Sequence, residues 1–208
     1  MIVTMTEMNR VTIIMTQRER FDLVKRSIES LYRATSVPFN LIYVDGGASP
    51  EIRHQSEALA LRHGFKIVRR EYFLPPNMAR NLALNTIEQP TTYIVYVDND
   101  VIFEGGWLDA LVQCADETGA ALVTPLIMIG NPERPETVRI HFAGGKIDIK
   151  ETPEGVQFFD SHNYGDQKLC EVKASLQRQV SDTVEFHTVL VRSDLMERVG
   201  PLDEDLRA

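Results

Sequence analysis

The chain has 208 residues, of which 43% are hydrophobic and 25% are charged, and its net charge is −8. These values are ordinary for a soluble globular protein of one domain that can bury a core. The acidic balance argues against nucleic acid as the main partner, which would call for a basic face, but leaves anionic small molecules open because a bound metal can reverse the local charge.

The first ten residues lack the apolar core of a signal peptide. No run of about 18 apolar residues follows, so no membrane-spanning helix is expected. The sequence therefore predicts a cytoplasmic protein.

Strand and helix patterns alternate along the first part of the chain. Short apolar runs predict five strands, at residues 11–16, 39–44, 65–68, 93–97 and 121–124. Apolar residues at helical spacing predict four helices, which begin near Phe21, Pro50, Pro75 and Trp107. This alternation indicates an α/β fold, with a mostly parallel sheet flanked by helices.

The remainder of the chain has a different character, with more prolines and weaker periodicity. A strand or hairpin is predicted over 140–149 around Gly144 and Gly145, whereas residues 156–179 fit either an ordered lid or a mobile loop. A late strand over 183–191 and a short helix over 193–199 follow.

Two aspartates, Asp98 and Asp100, follow the fourth predicted strand at spacing i, i+2. Because side chains alternate along a strand, both carboxylates can lie on one side while Asn99 points away. A divalent cation such as Mg²⁺ takes one or two carboxylates together with phosphate oxygens. The spacing therefore indicates a metal-bridged diphosphate at the carboxyl edge of the sheet, and a polar turn is the alternative.

Asp45 ends the second predicted strand and is followed by Gly46, Gly47 and Ala48. Its carboxylate can accept hydrogen bonds from a nucleobase N–H or a ribose hydroxyl, and the small residues leave room for a flat base. The alternative is a helix-capping turn, which the same residue types form.

Arg80 lies in the first turn of the helix that opens at residues 75–77, at an end that favours anions. It can reach a base or a diphosphate, and the alternative is an arginine that is solvated or paired with an acid. The neighbouring Asn81 is more often a structural partner.

Four segments occur together in a defined order: the strand-end Asp with its small-residue turn at 44–49, Ala-Arg-Asn within 77–81, Asp-x-Asp within 96–100, and an Arg–helix–Gly-x-x-Asp-Glu block over 190–204. In this order they resemble the family-2 glycosyltransferases of the A-type fold, a Rossmann-like nucleotide-diphospho-sugar transferase fold. The resemblance spans nearly the whole chain.

The resemblance implies a metal-assisted hexosyltransferase of the inverting kind that moves a sugar from a UDP- or GDP-sugar to a glycan, lipid or small-molecule acceptor. The cofactor it implies is Mn²⁺ or Mg²⁺. The donor nucleotide contacts that it implies are Thr16, Asp45, Gly46, Arg80 and Asp98, and the metal ligands are Asp100 and Asp98. Either His141 or His187 is a candidate third ligand. Peripheral membrane association is left open for a lipid or cell-surface glycan acceptor.

The chain departs from the family in two places. Its first strand ends in Thr16-Gln17-Arg18 rather than a Pro-x-Tyr-Asn-like turn, which leaves the nucleotide contacts of that turn open. In the family the general base follows the Asp-Glu pair, so the base is expected beyond Ala208 and the chain is interpreted as truncated. The alternative is a departure from the family's mechanism. The expected organisation is a single domain over 1–208, with a nucleotide-binding half over 1–129 and an incomplete acceptor-side half over 130–208.

Three other functions are alternatives to glycosyl transfer. A nucleotidylyltransferase would need a glycine-rich loop after the first strand, and a dinucleotide oxidoreductase would need Gly-x-Gly-x-x-Gly. Neither motif is present. A non-catalytic module that binds a nucleotide or a carbohydrate remains the alternative.

Overall fold

A computed structural model of the chain describes residues 10–17 and 19–206. The predictions that concern the first nine residues, Arg18 and the last two residues lie outside this range. The chain forms two compact units. The first combines the described residues up to Val123 with those from Phe186 onward, and the second is Thr124–Glu185.

The regular elements are numbered here in chain order. The strands are β1 (Val11–Thr16), β2 (Asn40–Gly46), β3 (Lys66–Arg70), β4 (Tyr93–Asp98), β5 (Leu122–Val123), β6 (Ile127–Ile129), β7 (Arg139–Phe142), β8 (Gly145–Thr152), β9 (Gly155–His162) and β10 (Thr188–Arg192). The helices are α1 (Val24–Ala34), α2 (Pro50–His63), α3 (Pro76–Leu84), α4 (Trp107–Thr118), α5 (Leu169–Val172) and α6 (Ser193–Val199). Short 3-10 turns occupy Phe21–Leu23, Pro135–Thr137 and Lys173–Ser175.

The first unit is built on a six-stranded sheet with the order β3-β2-β1-β4-β10-β5. β1 pairs in parallel with both β2 and β4, and β2 pairs in parallel with β3. Among the described strands of this sheet, β10 runs opposite to the other five, and it pairs antiparallel with both β4 and β5. The predicted α/β fold with a mostly parallel sheet is confirmed.

The chain order makes the carboxyl end of β1 the switch point of this sheet. From β1 the chain continues to β2 and β3 on one side, and then returns to β4 on the other side. The crevice that forms where the strand order reverses is the usual ligand site of such sheets. The ends of β1 and β4 therefore define where the candidate site should be sought.

Burial of the central strands explains why their sequences are apolar throughout. Every residue of β1 and of β4 is buried. Such continuous burial is expected of parallel strands that are covered by helices on both faces. The helix α1 contributes Val24, Ile28 and Leu31 to the core of this unit.

Both ends of α2 are capped by residue types that suit those positions. The Ser49 hydroxyl accepts a hydrogen bond of 3.4 Å from the Ile52 amide, and Pro50 occupies the first helical position. At the other end Gly64 adopts φ 74°, the left-handed conformation that ends helices.

Several boundaries differ from the predictions by a few residues. A 3-10 turn precedes α1, so the α-helix begins at Val24 rather than Phe21. α3 begins at Pro76, which places Arg80 in its second turn rather than its first. β10 begins at Thr188, five residues after the start of the predicted late strand.

The second unit contains two separate antiparallel pairs, β6 with β7 and β8 with β9. The hairpin turn lies between Thr152 and Gly155, not at the predicted Gly144 and Gly145. Gly145 serves close packing instead, because a Cβ there would lie 2.5 Å from the Thr183 hydroxyl oxygen and 2.9 Å from the Ser161 carbonyl oxygen. Residues 156–179, predicted as a lid or a loop, contain β9 and α5.

No helix in the described part of the chain is long and apolar enough to cross a bilayer.

Candidate functional site

Two carboxylates lie at the end of β4, beside the switch point of the sheet. The strand ends at Asp98, and Asn99 and Asp100 form a turn. Side chains alternate between the two faces only within the strand, which ends at Asp98. The argument that placed both carboxylates on one side therefore does not extend to Asp100. Asp98 is buried, whereas the Asp100 side chain is 18% exposed.

The middle residue of this turn, Asn99, joins it to the loop after β1. The Asn99 side-chain amide donates hydrogen bonds to the carbonyl oxygens of Glu19, at 2.8 Å, and Arg20, at 3.3 Å. A guanidinium nitrogen of Arg20 lies 3.6 Å from a carboxylate oxygen of Asp100. Arg20 was not among the predicted site residues, because its contact with Asp100 joins residues that are distant in sequence.

Asp98 is held from the other side by Arg80, which is itself buried. Their side chains form an ion pair with 3.5 Å between nitrogen and oxygen. The Arg80 guanidinium also donates to the side-chain oxygen of Asn77, at 3.1 Å, and lies 4.6 Å from the ring centre of Phe186. The structure thus pairs Arg80 with an acid of the predicted metal site, which was one of the two interpretations of this arginine.

Next to these acids, β1 ends at Thr16, and both Thr16 and the following Gln17 are buried. Thr16 is in register with Asp98 on β4 and with Val44 on β2. Gln17 is only 3% exposed, and its backbone amide donates to the Val44 carbonyl oxygen.

The side chains of both residues have no hydrogen-bond partner within the described part of the chain. The Thr16 hydroxyl and both polar atoms of the Gln17 amide make no hydrogen bond to any described residue. Buried polar groups without partners are costly, and ligand sites are among the places that keep them. Thr16 was among the predicted site residues and Gln17 was not. A polar residue directly after a predicted buried strand is the sequence signal that points to Gln17.

The end of β2 carries Asp45, which is fully buried and well bonded. One carboxylate oxygen accepts from the Ala48 amide at 2.9 Å, and the other accepts from the Arg69 guanidinium at 2.7 Å. Arg69 also pairs with Glu57 at 2.6 Å, and the bonds to Glu57 and Asp45 raise the pKa of this arginine. Asp45 therefore has the contacts expected of the capping turn, and its role as a nucleotide contact stays a prediction.

The space beside Gly46 and Gly47 is occupied by the loop that follows β3. A Cβ at Gly46 would lie 3.0 Å from the Leu74 amide nitrogen, and one at Gly47 would lie 3.1 Å from the Tyr72 carbonyl carbon. On the side where a Cβ would lie, these glycines therefore make room for a neighbouring loop, and contact of their backbone with a nucleotide stays a prediction.

Two tyrosines lie two residues before the strand-end acids. Burial raises the pKa of Tyr96, on β4, to about 12. Burial and the nearby Asp45 raise the pKa of Tyr43, on β2. Both phenols stay neutral at physiological pH, so they add no negative charge next to the acidic turn.

The Gly-x-x-Asp-Glu block packs on α3 through two asparagines. Asn81 donates to the Leu202 carbonyl oxygen at 2.8 Å and to a Glu204 carboxylate oxygen at 2.9 Å, and it accepts from the Leu202 amide at 2.9 Å. Asn77 donates to the Asp203 carbonyl oxygen at 2.7 Å. The expected structural role of Asn81 is confirmed.

The two candidate histidine ligands lie in different units. His141 is part of β7 in the second unit. His187 belongs to the first unit, where its carbonyl oxygen accepts from the Asp98 amide at 3.1 Å. Their role as metal ligands stays a prediction.

The chain was compared with known protein families and with curated proteins. The family model described as glycosyl transferase family 2 matches residues 12–175. No curated protein matches the sequence.

Solved structures with similar folds share 14% sequence identity with the chain. The mannosyltransferase PcManGT from Pyrobaculum calidifontis, in complex with GDP-Man and Mn²⁺, has a TM-score of 0.61 over 94% of this chain and 48% of its own. TarS 1–349 from S. aureus has a TM-score of 0.60 over 95% of this chain and 51% of its own. GalNAc-T7 with UDP, GalNAc and Mn²⁺ has a TM-score of 0.66 over 96% of this chain and 38% of its own. The chain thus spans about half or less of the length of these proteins, and the likeness shows a shared fold.

Proposed function

The chain belongs to glycosyl transferase family 2, and from that premise we propose that it transfers a sugar from a nucleoside diphosphate donor to an acceptor. The observation that carries this proposal is the position of the acidic turn. Asp98 and Asp100 lie at the switch point of the sheet, beside polar atoms of Thr16 and Gln17 that have no hydrogen-bond partner among the described residues.

The side chains at this edge fit a divalent cation. Their oxygens are the ligand type that Mg²⁺ and Mn²⁺ prefer. A metal ion held by Asp100 and Asp98 would neutralise the negative charge that develops on the departing diphosphate. Arg80 holds Asp98 in place, and Asn99 fixes the turn against the loop after β1.

The nucleoside would occupy the β1 side of the same crevice. We assign the Thr16 hydroxyl and the Gln17 amide as donors and acceptors for the ribose or the base, because both are buried without described partners. Asp45 and Gly46 are adjacent along the sheet edge and complete the proposed donor site, with Arg80 beside the diphosphate.

Two solved structures with this fold support the donor class. One contains GDP-Man with Mn²⁺, and the other contains UDP, GalNAc and Mn²⁺. We accordingly propose a UDP- or GDP-hexose as donor and Mn²⁺ or Mg²⁺ as cofactor. Inversion at the anomeric carbon and a glycan, lipid or small-molecule acceptor belong to the same proposal.

Calorimetric titration with UDP and GDP, each with and without Mn²⁺, tests this function. We expect one nucleotide to bind in the presence of Mn²⁺, and Asp100→Ala to abolish that metal dependence. Asp148→Ala is the control, because it removes the same charge from an exposed position on β8 in the second unit. Absence of binding by folded protein, or equal binding by Asp100→Ala, would contradict the proposal.

The second candidate is a module that binds the donor without turnover. Glu204, the acid of the Gly-x-x-Asp-Glu block, is bonded to Asn81, and the described residues provide no general base that we assign. Metal-dependent nucleotide binding without transfer or hydrolysis of any UDP- or GDP-sugar would favour this module.

A further inference from the structure

Among the residues that the structure describes, Arg20 forms an ion pair with Asp100, the more exposed acid of the candidate site. Its guanidinium lies 3.6 Å from the Asp100 carboxylate, and its side chain is 66% exposed. An ion pair this open to water is weak, so a stronger partner can displace either member.

The backbone of Arg20, in contrast, is fixed. Its carbonyl oxygen accepts from the Asn99 side chain at 3.3 Å and from the Leu23 amide at 2.9 Å. The residue adopts φ 49°, a left-handed conformation that few residues other than glycine keep without support. A fixed backbone with an exposed side chain lets the guanidinium change partners without moving the loop.

Electrostatic attraction and repulsion determine which group the Arg20 guanidinium binds. A divalent cation at Asp100 would repel the guanidinium, because both are positively charged. The two would also compete for one carboxylate. A nucleoside diphosphate brings phosphate oxygens, and the planar guanidinium binds these in a bidentate manner.

We propose that Arg20 exchanges partners during donor binding, a role that rests on the proposed function. It neutralises Asp100 when the site holds no ligand, and it turns to the diphosphate when the metal and the donor arrive. Arg20 is thus a positioning residue that opposes binding of the metal alone and supports binding of the metal together with the nucleotide.

The exchange predicts effects of opposite sign, which distinguishes it from a purely structural role. For Arg20→Ala we expect affinity for Mn²⁺ alone to rise about fivefold, as the competing ion pair is lost. Affinity for UDP or GDP at saturating Mn²⁺ should fall about tenfold, because one charge-assisted contact is lost. Arg20→Lys, which keeps the charge, should lie between the wild type and Arg20→Ala in both titrations.

Arg26→Ala is the matched control, since it removes the same charge from an exposed position on α1 and should leave both affinities unchanged. If Arg20→Ala fails to fold, Arg20→Gly removes the same side chain and tolerates the left-handed backbone. Circular dichroism establishes that each variant is folded.

Three outcomes would overturn the exchange: unchanged affinities, two affinities that shift in the same direction, or no binding of Mn²⁺ at all. Asp100→Asn separates this failure from that of the proposed function. If Asp100→Asn abolishes Mn²⁺ binding while Arg20→Ala resembles the wild type, only the exchange is wrong. If Asp100→Asn binds Mn²⁺ like the wild type, the proposed metal site is wrong as well.

Discussion

Single residues at the sheet edge are constrained by packing and by the proposed ligand, and the two constraints can be separated by substitution. Gly47 illustrates the first. It adopts φ 82°, and a Cβ would lie 3.1 Å from the Tyr72 carbonyl carbon and 3.3 Å from the Phe73 amide nitrogen. Both features disfavour any side chain at this position.

We expect Gly47→Ala to lower the free energy of unfolding by about 1–3 kcal/mol. Gly105→Ala is the control, because a Cβ there meets no atom within 4 Å and its φ is not positive. Its effect should stay within about 1 kcal/mol. Urea denaturation measures both, and equal stability of the two variants would contradict the packing argument.

Gln17 illustrates the second constraint. Its buried amide has no partner among the described residues, so replacing it by the similarly sized apolar side chain in Gln17→Met should raise the free energy of unfolding by about 1 kcal/mol. The same change should weaken nucleotide binding about tenfold, because the proposed contact is lost. Denaturation and calorimetry on one preparation measure both effects.

The exposed Gln113 of α4 gives a control, and Gln113→Met should leave nucleotide binding unchanged. Lower stability of Gln17→Met with full nucleotide affinity would show that this amide has a structural role and no ligand.

At the scale of elements, α3 connects the candidate site to the Gly-x-x-Asp-Glu block. Arg80 faces Asp98, while Asn81 holds Leu202 and Glu204. One helix thereby orders both the acidic turn and the segment after α6.

Asn81→Ala should release this segment. The Leu202 amide loses its acceptor, so we expect faster hydrogen exchange at Leu202 and a loss of about 1–3 kcal/mol in the free energy of unfolding. Asn85→Ala removes an exposed asparagine from the end of the same helix and should change neither quantity. Unchanged protection of Leu202 in Asn81→Ala would contradict the assigned contact.

The elements also show what sequence patterns can predict. The strands and helices of the first 120 residues or so follow from local periodicity and caps, as at Ser49 and Gly64. The antiparallel direction of β10 does not follow from local patterns, because it depends on pairing with β4, which is distant in the sequence. The hairpin turn was placed incorrectly because a glycine pair is typical of turns, whereas Gly145 is required by close packing.

The candidate site was predictable to a similar degree. Asp98, Asp100 and Thr16 stand at strand ends, so their common edge follows from the order of strands. Arg20 contacts Asp100, and Phe186 contacts Arg80. Both contacts join residues that are distant along the chain, so no local sequence pattern predicts them.

At the scale of the whole molecule, buried phenols link folding to pH. Burial raises the pKa of Tyr32 and of Tyr96 to about 12, and it raises the pKa of Tyr43 as well. In the unfolded chain a tyrosine ionises near pH 10. The stabilisation is therefore complete below pH 10 and is lost as the pH rises from about 10 toward 12.

We expect the free energy of unfolding to fall over this range, by up to about 1.4 kcal/mol per pH unit for each tyrosine. Tyr96→Phe should reduce the slope, because it removes one of the ionising groups. Urea denaturation at a series of pH values gives the slope, and identical slopes in the two proteins would contradict the assignment.

The central claim is that the acidic turn after β4 holds a divalent ion together with a nucleoside diphosphate. The most direct measurement is paramagnetic broadening of the amide resonances of isotope-labelled protein by Mn²⁺ in the presence of UDP or GDP. We predict the strongest broadening at Thr16, Gln17 and residues 98–100, and its loss in Asp100→Ala. Broadening that is absent, or that is centred elsewhere and persists in Asp100→Ala, would contradict the account.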